Sequence, residues 1–316
     1  MKAFLKLVEI QTKVASQLPL LLGTGYVLYA YGTFKPMNFL YMFLSLLTFD
    51  MATTAINNYY DYKKSIKTTG YGYEKHNAIV SFSMKESQVQ GIILILLLMA
   101  TGFGILLFLN TSILVLLLGM ISFAIGILYS FGPVPLSRTP FGELFSGGVM
   151  GFVIPFLAIY IHLYDGGLIL FTYKSGMINL SVDIAFVLQV ILLTVTPVVC
   201  IANIMLANNI CDMEDDIVNK RYTLPLTIGK EKALMLFKAL YIFAYGSILI
   251  LIIWKVLPLI SIVVFATIWP IKKNIDKFCD EQEKSTTFVL SVKNLVILSG
   301  ALTFTLFVGV GTNLFI

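Results

Sequence analysis

Two short polar segments carry the residue types that could do chemistry. The first holds Asp50, Thr54, Asn57, Asn58 and Asp61, which recur at three- and four-residue intervals and so fall on one stripe of a helix. In the second, Asn208, Asp212, Asp216 and Lys220 step by four along one face, with Asn209 beside them. The pattern Asn57-Asn58-x-x-Asp61 returns 151 residues later as Asn208-Asn209-x-x-Asp212. Carboxylates and amide oxygens are hard donors suited to Mg²⁺, which binds through one or two carboxylates together with substrate phosphates. Two such sets facing each other would hold a diphosphate through bridging metals. Lys64, Lys67, Lys220 and Arg221 would then neutralise the remaining oxygens. Zinc or iron is disfavoured, because the only histidines are His76 and His162.

The elements that must position these clusters are membrane helices. The chain of 316 residues is 58% hydrophobic and 12% charged, with a mean hydropathy of +0.89. A soluble domain carries roughly 25% charged residues. A soluble enzyme, a disordered chain and a nucleic-acid-binding domain are therefore excluded, despite the net charge of +5. Apolar runs place nine spans near 15–33, 37–60, 88–109, 112–130, 142–163, 183–209, 233–254, 257–271 and 294–315. The runs do not alternate, which argues against a β-barrel. The expected fold is an all-α integral membrane bundle of nine transmembrane helices in a single domain, 1–316. Two four-helix pseudo-repeats, approximately 15–130 and 142–271, are followed by a final helix.

Both polar clusters end even-numbered spans and so emerge on one face. The lysines and arginines collect there too, among them Lys2, Lys6, Lys13, Lys63, Lys85, Arg138, Lys230, Lys272 and Lys284. Only Lys35, Lys174 and Lys255 fall opposite. The bias puts the N-terminus and the active-site loops in the cytoplasm and the C-terminus outside. The N-terminal segment, with lysines alternating among apolar residues, reads as a short interfacial helix. At 1.5 Å per residue Asp50 lies ~16 Å deeper than Asp61, a depth at which acids face a bundle interior or a wet cavity. It either bonds a neighbouring helix as a neutral group or meets substrate. Cys200, Cys211 and Cys279 show neither metal-ligand nor disulfide spacing and read as incidental thiols. A transporter using intramembrane acids as ion sites is the reading from a different class. It has no evident need for two metal-type clusters crowded with bases.

These residues resemble the UbiA superfamily of intramembrane aromatic prenyltransferases, marked by two aspartate-rich motifs after the second and sixth helices. The second motif is the closer match: Asn208, Asn209, Asp212, Asp216, Lys220, Arg221, Thr223, Leu224 and Gly229 follow its form. In the first, Asn58 stands where an aspartate is common, and Ser65 and Lys67 stand near where a later carboxylate is found. Tyr129-Ser-Phe-Gly-Pro-Val-Pro-Leu136, running on to Gly142-Glu143-Leu144, is similar to a stretch of the 1,4-dihydroxy-2-naphthoate prenyltransferases.

The resemblance implies a Mg²⁺-dependent enzyme of menaquinone biosynthesis in the plasma membrane of a prokaryote. It would transfer a polyprenyl group from polyprenyl diphosphate to 1,4-dihydroxy-2-naphthoate, with loss of CO₂ and diphosphate. Asn57, Asp61, Asn208, Asp212 and Asp216 would hold the metal, and Asn58, Asn209, Lys64, Lys67, Lys220 and Arg221 would help bind substrate. Among Tyr59, Tyr60, Tyr62 and Tyr129, Tyr129 is expected to stabilise the allylic cation by cation–π contact, and the others to form an interfacial belt. Arg138 either meets the acceptor carboxylate or anchors a loop at the headgroups. Glu143 either orients a nearby base or caps the fifth helix, the cap being the safer reading. Hydroxybenzoate and homogentisate are the alternative acceptors, and a non-catalytic prenyl-lipid-binding protein is the remaining class.

Overall fold

The computed structural model describes residues 1–64, 77–132, 135–166, 168–174 and 176–313. The chain opens with α1 (Lys2–Leu7) and a 3₁₀ turn (Ile10–Lys13), then α2 (Val14–Tyr31) and α3 (Pro36–Lys64). A short α4 (Ala78–Ser81) precedes α5 (Glu86–Leu109) and α6 (Ile113–Ser130). The next span is composite: α7 (Gly142–Ser146), a π-helical segment (Gly147–Val153) and α8 (Ile154–Leu163). After a hairpin come α9 (Ile184–Cys211), α10 (Met213–Val218), α11 (Leu224–Ile228) and α12 (Lys230–Ile253). A 3₁₀ segment (Leu259–Thr267), α13 (Ile268–Asp280) and α14 (Val289–Asn313) complete the chain.

Among the described residues, seven helices are long and apolar enough to cross a membrane, and they coincide with seven of the nine expected spans. The first and eighth expected spans depart from that pattern. Helix α2 is only 18 residues long and carries Gln17, Pro19 and two glycines, which dilute its apolar character. The eighth segment starts after Pro258 as a 3₁₀ helix and becomes regular only at Ile268. Proline removes a backbone donor and disfavours a helical residue before it. The fold is also not purely helical. Strand β1 (Ile169–Lys174) pairs antiparallel with β2 (Met177–Val182), and Gly176 takes φ +80° in the tight turn between them.

Helix α2 packs on α8 and α14, α3 on α5, and α9 on both α12 and the π-helical segment. The last contact is made close by glycine. A Cβ built on Gly151 would lie 2.4 Å from the Val198 Cα, and one on Gly147 would lie 2.8 Å from the Val198 carbonyl oxygen. Small residues four apart let two membrane helices approach at the backbone. Here they seat α9, which carries the second polar motif, against the span that carries Glu143. Large apolar side chains such as Leu98, Ile242 and Phe243 point outward, as expected of a bundle solvated by lipid.

Candidate active site

The two Asn-Asn-x-x-Asp ends converge. Asn57 and Asp61 at the end of α3, and Asn208, Asn209 and Asp212 at the end of α9, line one polar chamber of about 500 Å³. Tyr60, Arg138, Arg221 and Lys284 share its wall. A second cavity of about 570 Å³ is mostly apolar, with Phe49, Phe123, Leu116 and Leu157 among its lining and Asp50 and Thr54 on one side. Asn57, Tyr129, Ser130, Ser146 and Met150 border both. A charged compartment thus adjoins an apolar one across a rim that includes Tyr129. The Tyr129 hydroxyl donates to the Gly142 carbonyl oxygen at 3.4 Å, which ties that rim to the start of α7.

The first motif divides by helical rotation. Asn57 and Asp61 turn to the polar chamber, whereas Asn58, one residue further round, is buried away from it. Its side-chain amide donates to the Leu7 carbonyl oxygen at 3.0 Å and to Glu9 Oε1 at 3.3 Å. Asn58 therefore secures α3 to the N-terminal segment; the substrate-binding role expected from the motif is not where the fold places it. Deeper on α3, Asp50 forms an ion pair with Lys13 at 2.7 Å and accepts from Ser16 Oγ at 2.6 Å. Lys13 Nζ also donates to Thr54 Oγ1 at 2.6 Å and to the Asp50 carbonyl oxygen at 3.0 Å. Lys13 was expected at the interface with the other N-terminal lysines, but it is 4% exposed. Of the two readings of Asp50, the structure shows the contact with neighbouring elements, through Lys13 and Ser16.

The second motif is more closely knit. Asn208 Nδ2 donates to Asp212 Oδ2 at 3.3 Å, and the Lys284 ammonium bridges Asn208 Oδ1 and Asp212 Oδ2. Asp216, expected among the metal ligands, is instead buried behind this pair and off the chamber wall, accepting from Thr223 Oγ1 at 3.1 Å with Arg221 at 3.6 Å. Burial raises its carboxyl pKa from the ordinary value, and the neighbouring guanidinium opposes that rise. The backbone explains how Arg221 returns. Lys220 adopts φ +52°, an uncommon conformation for a residue with a Cβ, and the Arg221 N–H then donates to the Asp216 carbonyl oxygen at 2.9 Å. The same turn leaves Lys220 exposed and off the chamber wall.

Other expected residues fall as follows. Arg138 lines the chamber, and its carbonyl accepts from the Tyr222 N–H at 3.0 Å, joining the loop after α6 to the second motif. Glu143 is no cap: Asn209 Nδ2 donates to its Oε1 at 2.9 Å, and Oε2 is buried without a partner among the described residues. Tyr59 accepts from Gln90 Nε2 at 2.8 Å and donates to Glu86, while Tyr60 stacks on Phe131 at 4.8 Å. Lys67 and the Lys64 side chain lie outside the described residues. Lys284, one of the lysines that bias the topology, stands on the chamber wall as well. Its one sequence signal is a basic residue in the connection before the last span.

No three acidic, histidine or cysteine side chains cluster as a metal site among the described residues. The donor chemistry nevertheless fits Mg²⁺. Asn208 Oδ1 and Asp212 Oδ2 already converge on one cation, and Asp61 and Asn57 stand on the same chamber wall. Such a site would be completed by phosphate oxygens, as Mg²⁺ sites commonly are.

Comparison with known proteins gives the family of the chain. The model of the UbiA prenyltransferase family matches residues 17–292. A 1,4-dihydroxy-2-naphthoate octaprenyltransferase of Bacillus subtilis (strain 168) is 33% identical over 237 residues, covering 74% of this chain and 68% of that protein. The fold superposes with TM-score 0.63 on a UbiA homologue from Archaeoglobus fulgidus described as bound to DMAPP and Mg²⁺, at 16% identity over 98% of this chain and 99% of that one. It matches the apo structure of a UbiA homologue from Aeropyrum pernix K1 with TM-score 0.64, at 17% identity over 94% and 98% of the two chains. Seven helices apolar and long enough to cross a membrane among the described residues, two facing Asn-Asn-x-x-Asp ends and a family match over most of the length lead to one assignment: this chain is a membrane protein of the UbiA prenyltransferase family.

Proposed function

We propose that the protein transfers a polyprenyl group from polyprenyl diphosphate to 1,4-dihydroxy-2-naphthoate, releasing CO₂ and diphosphate and giving a demethylmenaquinol. The observation that carries this reading is the junction of a polar chamber, walled by both motifs, with an apolar cavity across Tyr129. A prenyl diphosphate has the same division into a charged head and an apolar tail. The buried Arg221 Nε, without a partner among the described residues, further suits an anion.

In this reading Asp61 with Asn57, and Asn208 with Asp212, hold Mg²⁺ on the diphosphate, and Asp216 orients Arg221 towards it. Bound Mg²⁺ supplies charge stabilisation to the leaving diphosphate. Arg221, Arg138 and Lys284 add fixed positive charge at the same end, so charge developing on the departing oxygens is met by groups already in place. The allylic carbon then lies near the Tyr129 rim, where a ring face stabilises a cation by up to ~2 kcal/mol once water is excluded. The apolar lining beyond keeps nucleophilic water from that carbon.

The acceptor enters from the apolar side. Asp50, held by Lys13 and Ser16, retains acceptor positions on the cavity wall and receives a hydrogen bond from an aromatic hydroxyl. A carbon–carbon bond forms to the ring carbon bearing the carboxylate, the bond to that carboxylate breaks, and its electron pair restores the aromatic ring. The reaction belongs in the plasma membrane of a prokaryote with the chamber facing the cytoplasm, supported by the lysine bias of the loops.

The test is direct. Purified protein is incubated with a polyprenyl diphosphate and, in separate reactions, with naphthoate, hydroxybenzoate and homogentisate acceptors, with and without Mg²⁺. Metal-dependent prenylation of the naphthoate is expected. Turnover of hydroxybenzoate alone would refute the acceptor assignment, and no product with any acceptor would refute the reaction.

A further inference from the structure

The polar chamber contains a cation that neither motif supplies. Lys284 lies in the connection 281–288 between α13 and α14, and it lines the chamber together with Phe288, whose ring centroid is 5.4 Å from its ammonium. That ammonium is bonded at once to Asn208 Oδ1 and, at 2.5 Å, to Asp212 Oδ2. The connection is braced by its own hydrogen bonds. The Glu283 N–H donates to Thr287 Oγ1 at 2.8 Å, the Thr287 and Phe288 N–H groups donate to the Glu283 carbonyl oxygen at 3.0 Å, and Thr286 Oγ1 donates to the Glu283 carboxylate at 2.8 Å. The backbone at Lys284 is therefore held, while its side chain, 48% exposed, retains room to move.

An amide oxygen and a carboxylate oxygen that meet on one nitrogen form a two-point grip for a cation. A divalent ion approaching Asn208 and Asp212 meets an ammonium already on both oxygens. Two cations at that separation repel, so one must leave before the other is seated. A diphosphate arriving with the metal changes the balance, because its oxygens offer the displaced ammonium acceptors of higher charge than the single carboxylate it gives up.

Building on the diphosphate reading above, we propose that Lys284 competes with Mg²⁺ for Asn208 and Asp212 in the substrate-free protein and passes to the diphosphate when metal and prenyl diphosphate enter together. Metal alone then binds weakly. Metal and diphosphate strengthen each other's binding by one common factor, since such coupling is reciprocal. A purely structural role, pinning the 281–288 connection to α9, makes the opposite prediction: losing the pin leaves metal affinity unchanged or weaker.

The experiment measures Mn²⁺ binding by electron paramagnetic resonance to the detergent-purified full chain without prenyl diphosphate. It compares the wild type, Lys284→Gln, Lys284→Arg, Asp212→Asn and the exposed control Lys273→Gln. Lys284→Gln is expected to bind Mn²⁺ about two- to five-fold tighter, the scale set by losing a half-exposed ion pair. Lys284→Arg and Lys273→Gln stay at the wild-type value. In steady-state turnover Lys284→Gln raises KM for the prenyl diphosphate, and Lys284→Arg rescues it. Mn²⁺ affinity in Lys284→Gln that is no tighter than wild type, or no tighter than in Lys273→Gln, overturns the competition while leaving the proposed reaction standing. If Asp212→Asn leaves Mn²⁺ binding unchanged, the ion sits elsewhere, and both the competition and the metal assignment fail.

Discussion

Removing the ammonium of Lys13 should destabilise the protein strongly, and removing its partner as well should restore most of what is lost. The side chains of Lys13 and Asp50 are 5% and 16% exposed, and the ammonium donates to Asp50 Oδ1, to the Asp50 carbonyl oxygen and to Thr54. Lys13→Met keeps a long apolar stem but leaves the Asp50 carboxylate held by the Ser16 hydroxyl in place of the ammonium. Breaking a buried pair from one side costs about 3–5 kcal/mol. Asp50 lines the apolar cavity and is not fully buried, so the lower end, about 3 kcal/mol, applies. At about 2 °C per kcal/mol for a chain of this size, melting should fall by about 6 °C.

The double variant Lys13→Met/Asp50→Leu removes both charges and should melt within about 2 °C of wild type, as buried pairs replaced by apolar groups commonly do. The assay is thermal unfolding in one detergent at one scan rate, since membrane-protein unfolding is often irreversible and rate-dependent. Turnover adds a second axis. If Asp50 receives the acceptor hydroxyl, the double variant regains stability but not its KM for the naphthoate. Lys13→Met melting within about 1 °C of wild type would refute the buried-pair argument. Full activity in the stable double variant would remove Asp50 from the acceptor site.

Three further outcomes follow from the geometry. Asp61→Asn and Asp212→Asn should each lower kcat by at least about 10²-fold, the scale of losing one group that stabilises leaving-group charge, with the melting temperature preserved; full turnover in either would take that residue out of the metal shell. Glu143→Ala should cost about 1–3 kcal/mol by stranding the buried Asn209 amide, whereas Glu143→Gln keeps an acceptor and should melt near wild type; equal melting of the two would refute the role of the 2.9 Å bond. Gly151→Ala should destabilise by about 1–3 kcal/mol, because its methyl group would press on the Val198 backbone at 2.4 Å, and unchanged melting would show that α9 can yield there.

Much of the fold was legible because its signals are local. Twenty apolar residues announce a span wherever they lie, and seven spans appear as expected. That Asn57 and Asp61 emerge on the same face of the body as Asn208 and Asp212 was likewise readable, since both motifs end even-numbered spans and helical spacing fixes which residues share a stripe. The eighth segment departs from the expected regular span because hydropathy does not register Pro258, after which the chain runs as a 3₁₀ helix as far as Thr267. The hairpin at Ile169–Val182 was missed because a short β pair outside the spans carries no helical period.

What sequence alone determined, then, is a membrane body, its helical stripes and two facing metal-type motifs. What only tertiary structure decided is which polar groups find each other across helices. Lys13 reaches Asp50 across 37 residues, Lys284 reaches Asp212 across 72, and Glu143 takes Asn209 across 66. Asn58 turns to Leu7 while its neighbour Asn57 turns to the chamber. The physical reason is that residue type and spacing fix a side chain's position on its own helix. Its partner depends on the rotation and approach of the neighbouring helix, which close contacts such as Gly147 and Gly151 against Val198 set.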